Sequence, residues 1–76
     1  MGPSNLFRRI GRRVRAARKR ACLTATQVAL EAGIDKRVYQ CMEAGDLPMD
    51  MLTAIAVSDI TGKSIDFLVR GREFDV

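Results

Sequence analysis

The stretch from Leu23 to Met42, which reads LTATQVALEAGIDKRVYQCM, decides the fold. It predicts two short helices that meet at Gly33, because glycine enters the left-handed backbone conformation that ends a helix without a steric penalty. Thr24 and Asp35 stand just before the two helices, where their side-chain oxygens can accept hydrogen bonds from the first free backbone amides. The stretch therefore holds a start signal for each helix and a stop signal for the first.

The apolar residues of this stretch follow the helical repeat. In the first helix, expected over residues 25–32, one face is formed by Val28, Ala29 and Ala32. In the second helix, the residues expected to face inward are Val38, Tyr39 and Met42. The outward side of that helix is polar and consists of Lys36, Arg37, Gln40 and Cys41. Two such helices joined by a glycine turn are typical of a helix-turn-helix, whose second helix can enter a DNA groove.

The rest of the chain predicts three more helices and no strand, so the expected fold class is all-α. Residues 1–5 are expected to form a flexible N-terminus, residues 6–71 one domain, and residues 72–76 a C-terminal tail. Helix 1 is expected over residues 6–21, helix 4 over 49–61 and helix 5 over 65–70. The apolar spacing predicts these core positions: Phe7, Ile10, Val14, Ala17, Ala21, Leu52, Ile55, Ala56, Ile60, Ile65 and Leu68.

Length and composition exclude several classes of protein. A chain of 76 residues forms one small core and leaves little room for an enclosed catalytic cavity. It has no histidine and no Ser or Cys nucleophile with a recognisable base, so no enzymatic activity is expected. Cys22 and Cys41 fit neither a disulfide framework nor a zinc site, and reduced thiols without metal or cofactor are expected. Without a membrane-spanning or signal-peptide pattern, the expected location is the cytoplasm.

Charge is divided unevenly along the chain. Residues 1–42 hold ten Lys and Arg against two acids, a balance of +8, whereas residues 43–76 hold three against seven, a balance of −4. The cationic half contains the predicted helix-turn-helix, and a basic surface attracts polyanions such as nucleic acid. Clustered arginines can also serve only to keep a small protein in solution, and composition leaves both interpretations open.

The order of elements resembles the Cro and phage-repressor-like helix-turn-helix proteins of the Xre family. The resemblance runs from about Leu6 to Gly71. It rests on Arg18 late in helix 1, on the motif from Thr24 to Glu43, on its EAG ending at residues 43–45, where the family often has ENG, and on the closing SIDFLVRG. It implies a compact five-helix lambda-repressor-like DNA-binding domain, with the helix-turn-helix at helices 2 and 3.

The resemblance also implies roles for single residues. It pairs Arg18 with Glu43, and a carboxylate at the end of a helix does need a nearby cation, although a solvent-facing Glu43 is the alternative. It places the base contacts of helix 3 at Lys36, Arg37, Gln40 and Cys41. Phosphate contacts are expected from the start of helix 2 and from helix 1, at Thr24, Arg15, Lys19 and Arg20.

A homodimer is expected, because one recognition helix reads too few base pairs to single out a site in a genome. In the family that this chain resembles, the last helix and the loop before it commonly form the dimer contact. The corresponding residues here are Phe67, Val69 and Phe74, although Phe67 is equally suited to completing the core.

Two functions follow from these observations. The first is a sequence-specific double-stranded DNA-binding transcription regulator, acting as a repressor or autoregulator with no small-molecule ligand. The second is a protein-binding antiactivator that reuses the same fold to capture a transcription factor. Ala25 stands where many members of the resembling family have a glutamine that binds a phosphate. Leu30 is expected to point to solvent. Both features favour a protein partner such as a transcription factor or polymerase.

Overall fold

The computed structural model describes residues 3–72 and contains five α-helices in that range. They are α1 (Pro3–Arg20), α2 (Ala25–Ala32), α3 (Lys36–Ala44), α4 (Met51–Thr61) and α5 (Ile65–Arg70). No strand occurs among the described residues, so the prediction of an all-α fold is confirmed. Helices α2 and α5 have the bounds that the sequence predicts.

Helix α1 differs from its prediction at both ends. It begins at Pro3, three residues before the predicted start at Leu6. Proline suits the first position of a helix, because the amide hydrogen that it lacks would have no partner there. The helix ends at Arg20, and Cys22 follows it with a φ of 60°, a left-handed conformation that glycine usually supplies. This turn leads directly into α2.

Polar side chains set the starts of the four later helices. Thr24 and Gln27 form a reciprocal pair at the start of α2: Thr24 Oγ1 accepts the backbone N–H of Gln27 at 3.1 Å, and Gln27 Oε1 accepts that of Thr24 at 2.7 Å. Asp35 caps the start of α3 as the sequence predicts, and Ser64 caps the start of α5. Helix α4 begins two residues later than predicted, because Asp50 supplies its cap by accepting the N–H of Thr53 at 2.7 Å.

The core forms around α1, which packs against α3, α4 and α5, while α2 packs against α3 and α4. The hydrophobic residues with no exposed surface are Val14, Val28, Tyr39, Val57 and Leu68. Several predicted core residues are only half-buried, namely Phe7, Ala21, Ala32 and Ile65. The prediction for Val38 is wrong, since this residue is 39 % exposed. Tyr39 and Met42, three residues apart, define the inward side of α3, and Val38 lies beside that line.

The inner face of α4 is not the predicted one. Its buried residues are Thr53, Ala54 and Val57. Leu52 is 78 % exposed and Ile55 40 % exposed, while Ala56 and Ile60 are half-buried. Apolar residues occur on every side of this helix, so their spacing does not mark one face. The contacts with α1, α2 and α5 decide which side is buried.

No helix among residues 3–72 has the length and apolar character needed to cross a membrane.

Candidate nucleic-acid interface

Helix α3 turns a polar and cationic side to solvent at its N-terminal end. Lys36, Arg37 and Gln40 are exposed, and Cys41 is half-buried. Asp35 caps this end, since one of its carboxylate oxygens accepts the backbone N–H of Arg37 at 2.7 Å. The four residues predicted to contact bases therefore lie on one short helix, and three of them are open to solvent.

The opposite side of α3 is anchored in the protein. Tyr39 has no exposed surface and Met42 is only 5 % exposed. The helix packs against both α1 and α2. The side with Tyr39 and Met42 therefore anchors α3 in the core, while the opposite side is exposed to solvent.

Arg18 of α1 and Glu43 of α3 form a two-pronged ion pair behind this exposed side. Arg18 Nε donates to Glu43 Oε2 at 2.6 Å, and Arg18 Nη2 donates to Glu43 Oε1 at 3.1 Å. The Arg18 side chain is 12 % exposed and that of Glu43 is 10 % exposed. Arg18 Nη1 also donates to the carbonyl of Leu23 at 2.9 Å, so the same guanidinium holds the turn before α2. These two residues are the pair that the resemblance implies, and Glu43 does not face solvent.

Tyr39 adds a third group to this cluster, because its hydroxyl donates to Glu43 Oε2. Tyr39 and Glu43 are four residues apart and so share one side of α3. Burial, and then the hydrogen bond to Glu43, raises the pKa of Tyr39 above its ordinary value of 10.0. The hydrogen bond to Glu43 raises the pKa of Arg18 in the same way, against the effect of desolvation. The cluster therefore holds a neutral phenol and a charged guanidinium at neutral pH.

The residues predicted to contact phosphate lie on α1 and at the start of α2. Arg15, Lys19 and Arg20 are exposed on α1. Thr24 is exposed as well, although its hydroxyl already accepts the N–H of Gln27. No ion pair joins any of the three cations to another residue in the part of the chain that the structure describes.

Arg13 has a structural role that the sequence does not reveal. Its Nε donates to the carbonyl of Leu68 at 2.9 Å, and its Nη2 donates to the carbonyl of Val69 at 2.7 Å. These carbonyls belong to the last turn of α5, where no further turn of helix can supply donors. The only sequence signal is the helical position of Arg13, and its arginine neighbours on α1 hide that signal.

Two of the three residues predicted for the dimer contact pack partly against the protein's own core. Phe67 and Val69 are half-buried and pack against the core, and Lys63 Nζ lies 5.1 Å from the centre of the Phe67 ring. Phe74 lies outside the described residues. The most exposed large apolar side chains are elsewhere, at Leu30 (81 %), Leu52 (78 %) and Met51 (69 %).

Cys22 is an exposed free thiol and Cys41 a half-buried one. Among the described residues, no three metal-ligating side chains come together.

The chain matches no family model, no curated protein and no solved structure. The ligand of this surface is therefore inferred from the exposed side chains of α3 and from the cations of α1.

Proposed function

We propose that this chain is a sequence-specific double-stranded DNA-binding transcription regulator that acts as a repressor or autoregulator in the cytoplasm. In this proposal, α2 and α3 are the helix-turn-helix of a lambda-repressor-like domain of the Xre family, and α3 enters the major groove. The observation that carries the proposal is the exposure of Lys36, Arg37 and Gln40 on a helix whose other side is buried through Tyr39 and Met42.

Base recognition needs donors and acceptors at the start of a groove-bound helix. Arg37 or Lys36 can donate to the O6 and N7 acceptors of guanine, and such a contact contributes about 1–3 kcal/mol of discrimination. Gln40 can pair with adenine through its amide. Cys41 can pack on the methyl group of thymine. Phosphate contacts from Thr24, Arg15, Lys19 and Arg20 would fix the position of the helix along the duplex.

Base recognition also needs a helix that does not move. The Arg18–Glu43 ion pair holds the C-terminal half of α3 against α1, and the Tyr39 hydroxyl fixes the Glu43 carboxylate from within α3. This support leaves the N-terminal residues free for the ligand while fixing their position.

The proposed regulator is a homodimer, because two half-sites give the specificity that one recognition helix lacks. An open groove of about 420 Å³ lies between α4 and α5, and Val69 lines it together with Met49, Met51 and Ile65. We place the contact with the second copy at this groove. Sedimentation at micromolar concentration should detect a dimer, Met51→Glu should dissociate it, and Leu30→Glu should not.

The test of DNA binding starts from a random pool of duplexes and the purified chain. Selection should enrich one sequence, and Arg37→Ala should weaken binding to that sequence by roughly 5- to 150-fold, the range of one base contact. Arg72→Ala is the matched control, because it removes the same charge from an exposed position after α5. A pool without an enriched sequence, or equal binding by the Arg37→Ala variant, would rule out α3 as the recognition helix.

Exposed apolar residues favour a second candidate function, in which the chain is an antiactivator that captures a transcription factor. Leu30, Met51 and Leu52 present large apolar side chains that serve no purpose in the core. Leu30→Ser and Leu52→Ser distinguish the two functions. They should leave duplex binding unchanged if the chain regulates through DNA, and they should abolish capture if the partner is a protein.

A further inference from the structure

Helix α1 is the most basic element of the chain. Over Pro3–Arg20 it carries eight Lys and Arg and no acid. Two of these cations are used inside the protein, since Arg18 pairs with Glu43 and Arg13 binds the carbonyls of α5. The other six are exposed and form no ion pair with any described residue: Arg8, Arg9, Arg12, Arg15, Lys19 and Arg20.

Contacts on opposite sides of α1 show which neighbour each side faces. Gly11 and Arg18 both contact Glu43 of α3, and their separation of seven residues puts them on one line along the helix. Arg13 reaches Leu68 and Val69 of α5 instead. Helix α1 therefore has an α3 side and an α5 side.

Helical spacing separates the six exposed cations into two groups. Four of them recur at steps of four, three and four residues and form one row: Arg8, Arg12, Arg15 and Lys19. This row lies on the outer side of α1, on average about 80° around the helix from the line of Gly11 and Arg18 and nearer to that line than Arg9 and Arg20 are, and we call it the α3-side row. Arg8 lies close to the end of α3, because a Cβ atom on Gly45, the residue at which α3 ends, would lie 2.7 Å from Arg8 Cα.

The other two exposed cations lie across the helix. Arg9 precedes Arg13 by four residues and Arg20 follows it by seven, so both share the side of α1 that Arg13 turns toward α5. They are as exposed as the members of the α3-side row but point away from α3. Arg9 and Arg20 can therefore serve as a control, because their removal changes the charge of the protein as much as the removal of two arginines from the α3-side row.

We infer that the α3-side row binds the sugar-phosphate backbone of the duplex beside the groove that α3 enters, and that Arg9 and Arg20 do not touch it. This inference rests on the proposed function, and it adds Arg8 and Arg12 to the phosphate contacts while it removes Arg20. The row extends about 16 Å along α1 at 1.5 Å per residue, enough to follow several phosphates of one strand.

The chemistry of the α3-side row suits phosphate groups. Four unpaired cations on one side of a helix, without an intervening acid, match a polyanion of regular spacing. Each phosphate that a cation neutralises releases counterions and steepens the dependence of log K on log salt concentration by about 0.9. A contact that is real therefore changes this slope, whereas a charge elsewhere on the protein leaves it unchanged.

The test compares two double variants of equal composition, Arg12→Ala/Arg15→Ala and Arg9→Ala/Arg20→Ala. Both remove two exposed arginines from α1, and melting curves should show that both remain folded. Binding to the selected duplex is measured by fluorescence anisotropy between about 50 and 200 mM salt. The row variant should lower the salt slope by about 2 and weaken binding roughly tenfold or more at low salt, for this duplex and for unrelated duplexes alike. The Arg9/Arg20 variant should keep the slope of the unmodified chain.

Equal slopes for the two variants would overturn the inference, and so would a larger loss in the Arg9/Arg20 variant. A second row variant, Arg8→Ala/Lys19→Ala, must repeat the result of the first. If the unmodified chain binds a selected duplex and Arg37→Ala loses it, while both double variants behave alike, only the row assignment fails. If the unmodified chain binds no duplex, the proposed function fails and the row assignment fails with it.

Discussion

Gly11 of α1 lies directly against the backbone of Glu43 in α3, so closely that a Cβ atom on residue 11 would stand 2.2 Å from the Glu43 carbonyl oxygen. The side chain of the same glutamate is held by Arg18, seven residues further along α1. Helix α1 thus holds Glu43 in two ways, by close packing of Gly11 against its backbone and by the ion pair of Arg18 with its side chain. This double attachment is what connects the core to the proposed recognition surface.

Gly11→Ala should therefore destabilise the protein by about 2–3 kcal/mol, because overpacking at a fixed backbone contact has nowhere to relax. Alanine in place of glycine inside a helix would otherwise stabilise by about 0.5–1 kcal/mol, so the sign of the effect identifies the contact. Urea unfolding measures the change. Ala16→Gly, at an exposed position of the same helix, should cost about 1 kcal/mol and leave duplex binding intact. A Gly11→Ala variant as stable as the original chain would contradict the close packing.

Removal of one partner of the Arg18–Glu43 pair should cost about 3 kcal/mol, since the remaining charge is left largely buried. In a double-mutant cycle, Arg18→Met and Glu43→Leu together should cost clearly less than the sum of the two single changes. Free energies of unfolding from urea titration provide all four corners of the cycle. Additive losses would mean that the two side chains do not depend on each other.

Tyr39 should make the protein sensitive to alkaline pH. Its pKa is raised in the folded chain, so the folded state holds the phenol proton more tightly than the unfolded state does. This contribution to stability is complete below the ordinary pKa of 10.0 and is lost progressively as the pH rises above it. Tyr39 is the only tyrosine and the chain has no tryptophan, so tyrosinate absorbance reports this one group.

The titration of Tyr39 should accordingly lie above pH 10.0 and coincide with unfolding seen by circular dichroism. Tyr39→Phe is the control, because it keeps every lysine and arginine and loses only this dependence. A phenol that ionises at its ordinary pKa in the folded chain would show that the hydroxyl is not bound to Glu43.

Arg13→Ala should destabilise the chain by about 2 kcal/mol, because it removes two hydrogen bonds from a charged donor to the end of α5. Hydrogen exchange should show the first loss of protection in α5, a helix of only six residues. Arg13→Lys should not restore stability, since an ammonium lacks the planar fork that reaches both carbonyls. Arg12→Ala, on the exposed side of α1, should change stability by less than about 0.5 kcal/mol. Equal losses at residues 12 and 13 would argue against the α5 contact.

The ends of the short helices could be predicted from sequence because the signals that set them are local. Thr24, Asp35 and Ser64 accept hydrogen bonds from amides two or three residues away. Such contacts form within one turn of chain and need no partner from another element. The same reasoning explains why α2 and α5 have the predicted bounds, and why α4 begins only two residues after its predicted start, directly behind its cap Asp50.

The buried face of α4 could not be predicted in this way. Leu52 and Ile55 are as apolar as residues of the core, yet they are exposed, while the polar Thr53 is buried. A helix with apolar residues on all sides offers several equally good faces, and its neighbours choose among them. The exposure of Leu52 and Ile55 is therefore decided by the packing of the folded chain.

The order of the residues alone is enough to predict a helical protein, the bounds of α2 and α5, and the gathering of cations in the first half of the chain. Only the tertiary structure decided what those cations do. Arg13 meets Leu68 across 55 residues and Arg18 meets Glu43 across 25, whereas Arg12 and Arg15 remain in solvent. The physical reason is that caps and helical periodicity act within a turn or two of chain, while the partner of a long side chain is fixed only when distant helices pack together.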